Sequence, residues 1–147
     1  MRIFGLDGRG VSLDVDGYQF PDAAEESLRR SWLMIRGEAI AAAGTWAFRW
    51  QALTPDEAIN LGRWLRDLAD ERAGHDDLWF LEPNLAFAVL TRSPERVGLR
   101  IAFDLEFSPP WRPRIGAGDP FTIETELPRA TLRDAAENWA EALADYP

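Results

Sequence analysis

Between residues 97 and 107 every second position is a large apolar residue: Val97, Leu99, Ile101, Phe103, Leu105 and Phe107. A period of two puts all six on one face of an extended strand. Such a strand hides one face on a core, which confines the chain to a sheet backed by another layer. The pattern recurs elsewhere. Val11, Leu13 and Val15 alternate with Ser12, Asp14 and Asp16, and Trp46, Phe48 and Trp50 alternate with Thr45, Ala47 and Arg49. Further strands are predicted at Arg2–Leu6, Trp32–Ala39, Asp77–Glu82 and Leu85–Arg92, and around Phe121, Ile123 and Leu127. Asp7-Gly8, Asp16-Gly17, Ala41 to Gly44, Pro83-Asn84 and Ser93-Pro94-Glu95 read as the turns between strands. Asp22 to Arg30 reads as a polar loop, and Pro109-Pro110-Trp111-Arg112-Pro113 opens a stiff one that runs through Gly116 and Gly118.

Two helices complete the pattern. Thr54, Pro55 and Glu57 form a capping-box start, Ala58, Leu61, Leu65 and Leu68 share a face, and Gly74 is the expected stop, so the helix is predicted over roughly Pro55–Arg72. The second begins at Thr131 as cap and carries Leu132, Ala135, Ala136, Trp139 and Leu143 as its stripe. The expected fold is therefore α+β: a mainly antiparallel, curved sheet of about seven to eight strands with two capped helices packed on it. At 147 residues, the chain is expected to make a single domain, residues 1–147.

Composition limits the chemistry. Cysteine is absent, which excludes disulfides and thiol catalysis. All 16 basic residues are arginine, so a phosphate-loop lysine and a Schiff-base amine are excluded. The single histidine, His75, sits in Gly74-His75-Asp76-Asp77 and reads as part of a helix-to-strand loop rather than a metal ligand. The serines lie in no nucleophile-elbow context, and Gly5-x-x-Gly8-x-Gly10 precedes a strand, as a hairpin turn does and a phosphate loop does not. No cofactor or metal is expected. The N-terminus carries no apolar signal region, so a cytoplasmic location is expected.

What remains is acidity. The 25 acidic residues against 16 basic ones give a formal charge of −9, which repels phosphate backbones and attracts a basic partner. Asp104 and Glu106 alternate with Phe103, Leu105 and Phe107, and Glu124 and Glu126 with Ile123, Thr125 and Leu127, so a hairpin of these two strands would gather four carboxylates on one outer face. Such a surface reads as a solvated face, a partner-binding face, or a paired-carboxylate hydrolase or metal site. Asp22, Glu25 and Glu26 form a second acidic group that is a candidate partner contact. Asp70, Glu71, Asp76 and Asp77 form a third, placed against the dipole of the first helix.

An ordered set of motifs spans nearly the whole chain: Asp16-Gly17-Tyr18-Gln19-Phe20-Pro21, Trp32-Leu33, Trp64-Leu65, Glu82-Pro83-Asn84-Leu85, Leu105-Glu106 with Pro109-Pro110-Trp111, and the alanine-rich end at Tyr146-Pro147. In these the chain resembles the WapI-type immunity proteins of bacteria. Related sequences usually carry asparagine before the Trp-Leu pair, where this chain has Ser31. The resemblance implies a non-catalytic antidote that binds the toxic domain of a polymorphic toxin, often a nuclease, inside the producing cell. It implies no catalytic residues. It makes Tyr18, Phe20, Trp32, Trp64, Glu82, Asn84 and Trp111 structural positions, the tryptophans as core or loop anchors and Glu82 as a hydrogen-bonding residue of its turn. A nuclease that holds a polyanion tends to be basic, which suits an acidic inhibitor. The alternatives are a small hydrolase or metal-binding protein using paired carboxylates, and a structural interaction domain.

Overall fold

The computed structural model describes residues 1–113 and 118–147. Eight strands form two four-stranded antiparallel sheets, each with its strands side by side in chain order. The first holds β1 (Arg2–Phe4), β2 (Gly10–Tyr18), β3 (Leu33–Ala41) and β4 (Gly44–Leu53). The second holds β5 (Asp77–Trp79), β6 (Leu85–Arg92), β7 (Arg96–Phe103) and β8 (Phe121–Pro128). A short helix α1 (Glu26–Arg29) joins β2 to β3, α2 (Pro55–Ala69) joins the two sheets, and α3 (Arg129–Leu143) follows β8. The architecture is α+β and antiparallel, and its strands are shared between two sheets because α2 interrupts the run of hairpins.

The two sheets meet through aromatic side chains. Trp46 of β4 stands edge-on to Phe103 of β7 and Phe121 of β8, at 5.1 and 5.4 Å between ring centroids. Its indole N–H donates to the Phe107 carbonyl at 2.8 Å, so the burial leaves no orphaned donor. Phe48 lies 4.1 Å from Phe107. At another junction the β1–β2 turn crosses β8: the Leu6 amide donates to the Glu126 carbonyl at 3.0 Å. Gly5 makes that crossing possible, since a Cβ there would overlap Thr125 Oγ1 and lie 2.8 Å from the Glu126 carbonyl oxygen.

α2 starts as its sequence requires. Thr54 Oγ1 accepts from the Glu57 amide, and the Glu57 carboxylate accepts from the Thr54 amide at 2.9 Å. It ends at Ala69, five residues before Gly74. The stop is a Schellman closure, in which the Arg72 amide donates to the Asp67 carbonyl and Glu71 takes the left-handed position at φ 57°. Glycine usually fills that position, which is why the sequence pattern pointed to Gly74 instead. α3 packs on α2. Trp139 is fully buried, and its indole N–H donates to the Ala58 carbonyl at 2.8 Å.

Several boundaries differ from the sequence reading. Asp16-Gly17 is not a turn: β2 continues to Tyr18 through a bulge, for which Gly17 supplies φ 114°. The segment read as a polar loop contains α1. α3 begins at Arg129 with Pro128 in the cap position and no side-chain cap, so Thr131 lies inside the helix. Trp50 is 42% exposed and does not continue the buried stripe of Trp46 and Phe48. Gly116, in the proline-rich segment, lies outside the described residues.

Candidate functional site

The four strand carboxylates do not share a face. β7 stops at Phe103, and Leu105–Phe107 is a single 3-10 turn. Asp104 ends the strand by turning its carboxylate onto backbone: Oδ1 accepts from the Leu105 amide and Oδ2 from the Gly118 amide, both at 2.8 Å. An aspartate that offers a nearby amide an alternative to the ladder terminates a strand, and strand periodicity does not register this. Asp104 is buried, and Glu106 accepts from Asn84 Nδ2 at 2.9 Å. Both therefore hold the segment after β7.

Glu124 and Glu126 do lie on the outer face of β8. Arg100, opposite Glu124 in register, donates Nε and Nη2 to Glu124 Oε1 at 2.9 and 2.8 Å. Arg96 donates to Glu126 Oε1 at 3.0 Å. These arginines offset the like-charge repulsion expected of the pair. Asp22, Glu25 and Glu26 are exposed beside or within α1, where Glu26 pairs with Arg30 at 3.2 Å. Three of the third acidic group serve the fold: Asp70 pairs with Arg133 at 3.1 Å, Glu71 with Arg129 at 3.6 Å and Asp76 with Arg92 at 2.5 Å, while Asp77 is exposed.

The motif residues are dispersed. Tyr18 donates its hydroxyl to the Pro147 carbonyl at 2.7 Å and meets Tyr146 edge-on. Phe20 is exposed and Trp32 half-buried. Trp64 is buried and donates to the His75 carbonyl at 2.8 Å, which holds the only histidine in the loop between α2 and β5. Trp111 is partly exposed and stands edge-on to Trp46 at 5.4 Å. In the turn before β6, Glu82 makes no hydrogen bond among the described residues. Glu57 Oε1 accepts from the Leu81 amide there at 2.7 Å, and Asn84, fully buried, accepts through its carbonyl from the Asp104 amide at 3.0 Å.

The shifted groups are structural ties. The Thr125 hydroxyl, ahead of the Arg9 bonds, holds the Asp7 carboxyl down to about 2. A hydrogen bond from Arg49 lowers Asp16, and Asp14 raises Arg36. None of these carboxylates is a buried acid facing a cleft, the arrangement that acid–base catalysis requires. Among the described residues, no three His, Asp or Glu side chains are grouped to hold a metal. No helix of the described residues is long and apolar enough to cross a membrane.

A surface absent from the sequence reading lies on the second sheet. β6 runs Leu85-Ala86-Phe87-Ala88-Val89-Leu90 without a polar residue. Leu85 and Phe87 are buried, so Ala86 and Ala88 face outward. Trp79, opposite Ala86, is 75% exposed. The signal was present in the sequence as a strand that fails to alternate.

A model of the immunity protein WapI-like family matches residues 2–147. The chain belongs to this family. No curated protein matches it. Membership in the WapI-like family implies neutralisation of a cognate toxin by binding, and such immunity proteins are typically non-catalytic.

Proposed function

We propose that this WapI-like protein neutralises a basic toxin domain, a nuclease in character, by stoichiometric binding inside the cell that makes both. The formal charge of −9 carries the reading. A protein that grips a polyanion presents cations, and an acidic inhibitor both speeds the encounter and covers them. Glu124 and Glu126 on β8, and Asp22, Glu25 and Glu26 around α1, are the exposed carboxylates that would steer it. Asp104 and Glu106 support this surface only by holding the segment after β7. Inhibition needs no cofactor, since occupancy of the toxin surface is sufficient.

The test is a titration of the toxin domain encoded beside this chain, in inactivated form, at low and high salt. A one-to-one complex whose association slows with added salt is expected. Changing Glu124, Glu126, Asp22, Glu25 and Glu26 to amides should slow association by about 10-fold or more at low salt. An unchanged on-rate removes electrostatic steering by these groups. Absence of a complex at micromolar concentrations overturns the reading for that pair.

A further inference from the structure

An antiparallel sheet with one face in water normally alternates apolar and polar residues. The second sheet departs from this on its outer face. Across its strands one row reads Trp79, Ala86, Ala102, Thr122, and the next reads Asp77, Ala88, Arg100, Glu124. Ala86, Ala88 and Ala102 provide no bulk, so the face sinks into a shallow hollow of about 220 Å³ with Trp79 at its side. Trp79 is 75% exposed, and Leu81, two residues on, is 73% exposed. Burial in this chain explains neither residue. A large aromatic beside an apolar depression is the usual composition of an interface hot spot.

The polar edge of this face sets three carboxylates, Asp77, Glu124 and Glu126, against two arginines, Arg96 and Arg100, and is acidic by one charge. Glu124 and Glu126 engage their arginines through Oε1, and among the described residues Oε2 of each has no bond. Asp77 is exposed and has no ion pair among the described residues. The face therefore combines an apolar floor with carboxylate oxygens still open to a cation. A second copy of the chain would bring another charge of −9 and set these carboxylates near their like. A basic protein surface fits both the floor and the rim.

We infer that the outer face of the second sheet is the toxin-contact face, with Trp79 as its anchor and the Ala86–Ala88–Ala102 floor as the seat for an apolar side chain of a basic toxin domain. The inference rests on the toxin-binding reading above. It moves the centre of recognition from the carboxylates to the apolar floor, where water is excluded and truncation costs most.

The experiment uses the full chain and the inactivated toxin domain encoded beside it. Trp79→Ala removes the anchor, and Ala88→Arg fills the hollow with a bulky cation. Trp50→Ala, on the other sheet, is the control. Trp79 is an exposed side chain, so its removal leaves the core intact, and thermal unfolding checks each variant. The expected result is affinity at least about 30-fold weaker for Trp79→Ala and Ala88→Arg, through faster dissociation, with Trp50→Ala binding as the parent does. Normal binding by both second-sheet variants overturns the face and leaves the toxin reading standing. Failure of the parent chain to bind overturns both. A parent that sediments as a dimer, and becomes monomeric with Ala88→Arg, assigns the face to self-association and also overturns the inference.

Discussion

The two sheets are alike on their inner faces and differ on their outer ones. Outside the first, Asp14 pairs with Arg36 at 2.7 Å, and Asp16 reaches Arg36 at 3.9 Å and also pairs with Arg49. Ser12 and Glu38 complete a polar surface opposite each other in register. Outside the second, Trp79, Ala86, Ala88 and Ala102 make an apolar patch over β5 to β7, and ion pairs are confined to its β7–β8 side, where Arg100 meets Glu124 and Arg96 meets Glu126. Folding needs only the inner faces, because that is where apolar area leaves water. The outer faces are free to differ, and a difference folding does not require points to what each face meets. The first meets water, where exposed ion pairs keep the face soluble and contribute little stability. The second has the composition of a surface that is covered part of the time.

Four variants of the free protein test that contrast. The largest effect is expected from Phe103→Ala. Phe103 is fully buried, in contact with Trp46 and Phe48 of the other sheet, and its loss should cost about 3–5 kcal/mol. Urea unfolding followed by circular dichroism and tryptophan fluorescence should show one transition moving to lower denaturant. Two separated transitions would mean that the sheets are independent units, and the comparison of their faces would lose its basis.

A smaller effect is expected at the second junction. Thr125 is buried and donates its hydroxyl to Asp7 Oδ1 at 2.7 Å, tying the β1–β2 turn to β8. Thr125→Val should cost about 1 kcal/mol, read from the same unfolding curves. It should also change the acid dependence. Asp7 has its folded pKa depressed from 3.8 to about 2, so its contribution is present above about pH 4 and is lost as pH falls through about 2. Thr125→Val should flatten that part of the stability profile. An unaltered acid limb would show that the hydroxyl is not the main cause of the shift.

The smallest stability effects should come from the outer faces, and their contrast is the sharpest test. Arg36→Gln should lower stability slightly at low salt and indistinguishably from the parent at high salt, because its partners are exposed and screened. Trp79→Ala should change stability by no more than about 0.5 kcal/mol at any salt concentration, since its ring stands in water. A large loss from Trp79→Ala would make that side chain a structural element and remove its claim to be a binding anchor.

Much of the fold was readable along the chain. Val11, Leu13 and Val15 are buried as their alternation requires, and Thr54 with Glu57 marks the start of α2 because those two side chains satisfy amides that no helix can satisfy internally. The misread boundaries share a cause. Asp104 ends β7, Glu71 closes α2 and Gly17 bends β2, each through a local backbone geometry that hydrophobic period does not encode. The third acidic group was visible, and Asp70 reaches Arg72 close by, but Arg129, Arg133 and Arg92 come from α3 and β6, far away in sequence.

Residue order was enough to establish an antiparallel α+β chain without thiol, lysine or multi-histidine chemistry, and with an excess of carboxylates. Those conclusions depend on identity and spacing, which are local properties. Which face of β6 met water was a different matter. A stretch apolar at six successive positions, Leu85 to Leu90, carries no period, so alternation cannot orient it. Only the packing of Leu85 and Phe87 into the core turned Ala86 and Ala88 outward beside Trp79. The candidate surface exists because of that long-range choice, and the tertiary structure alone made it.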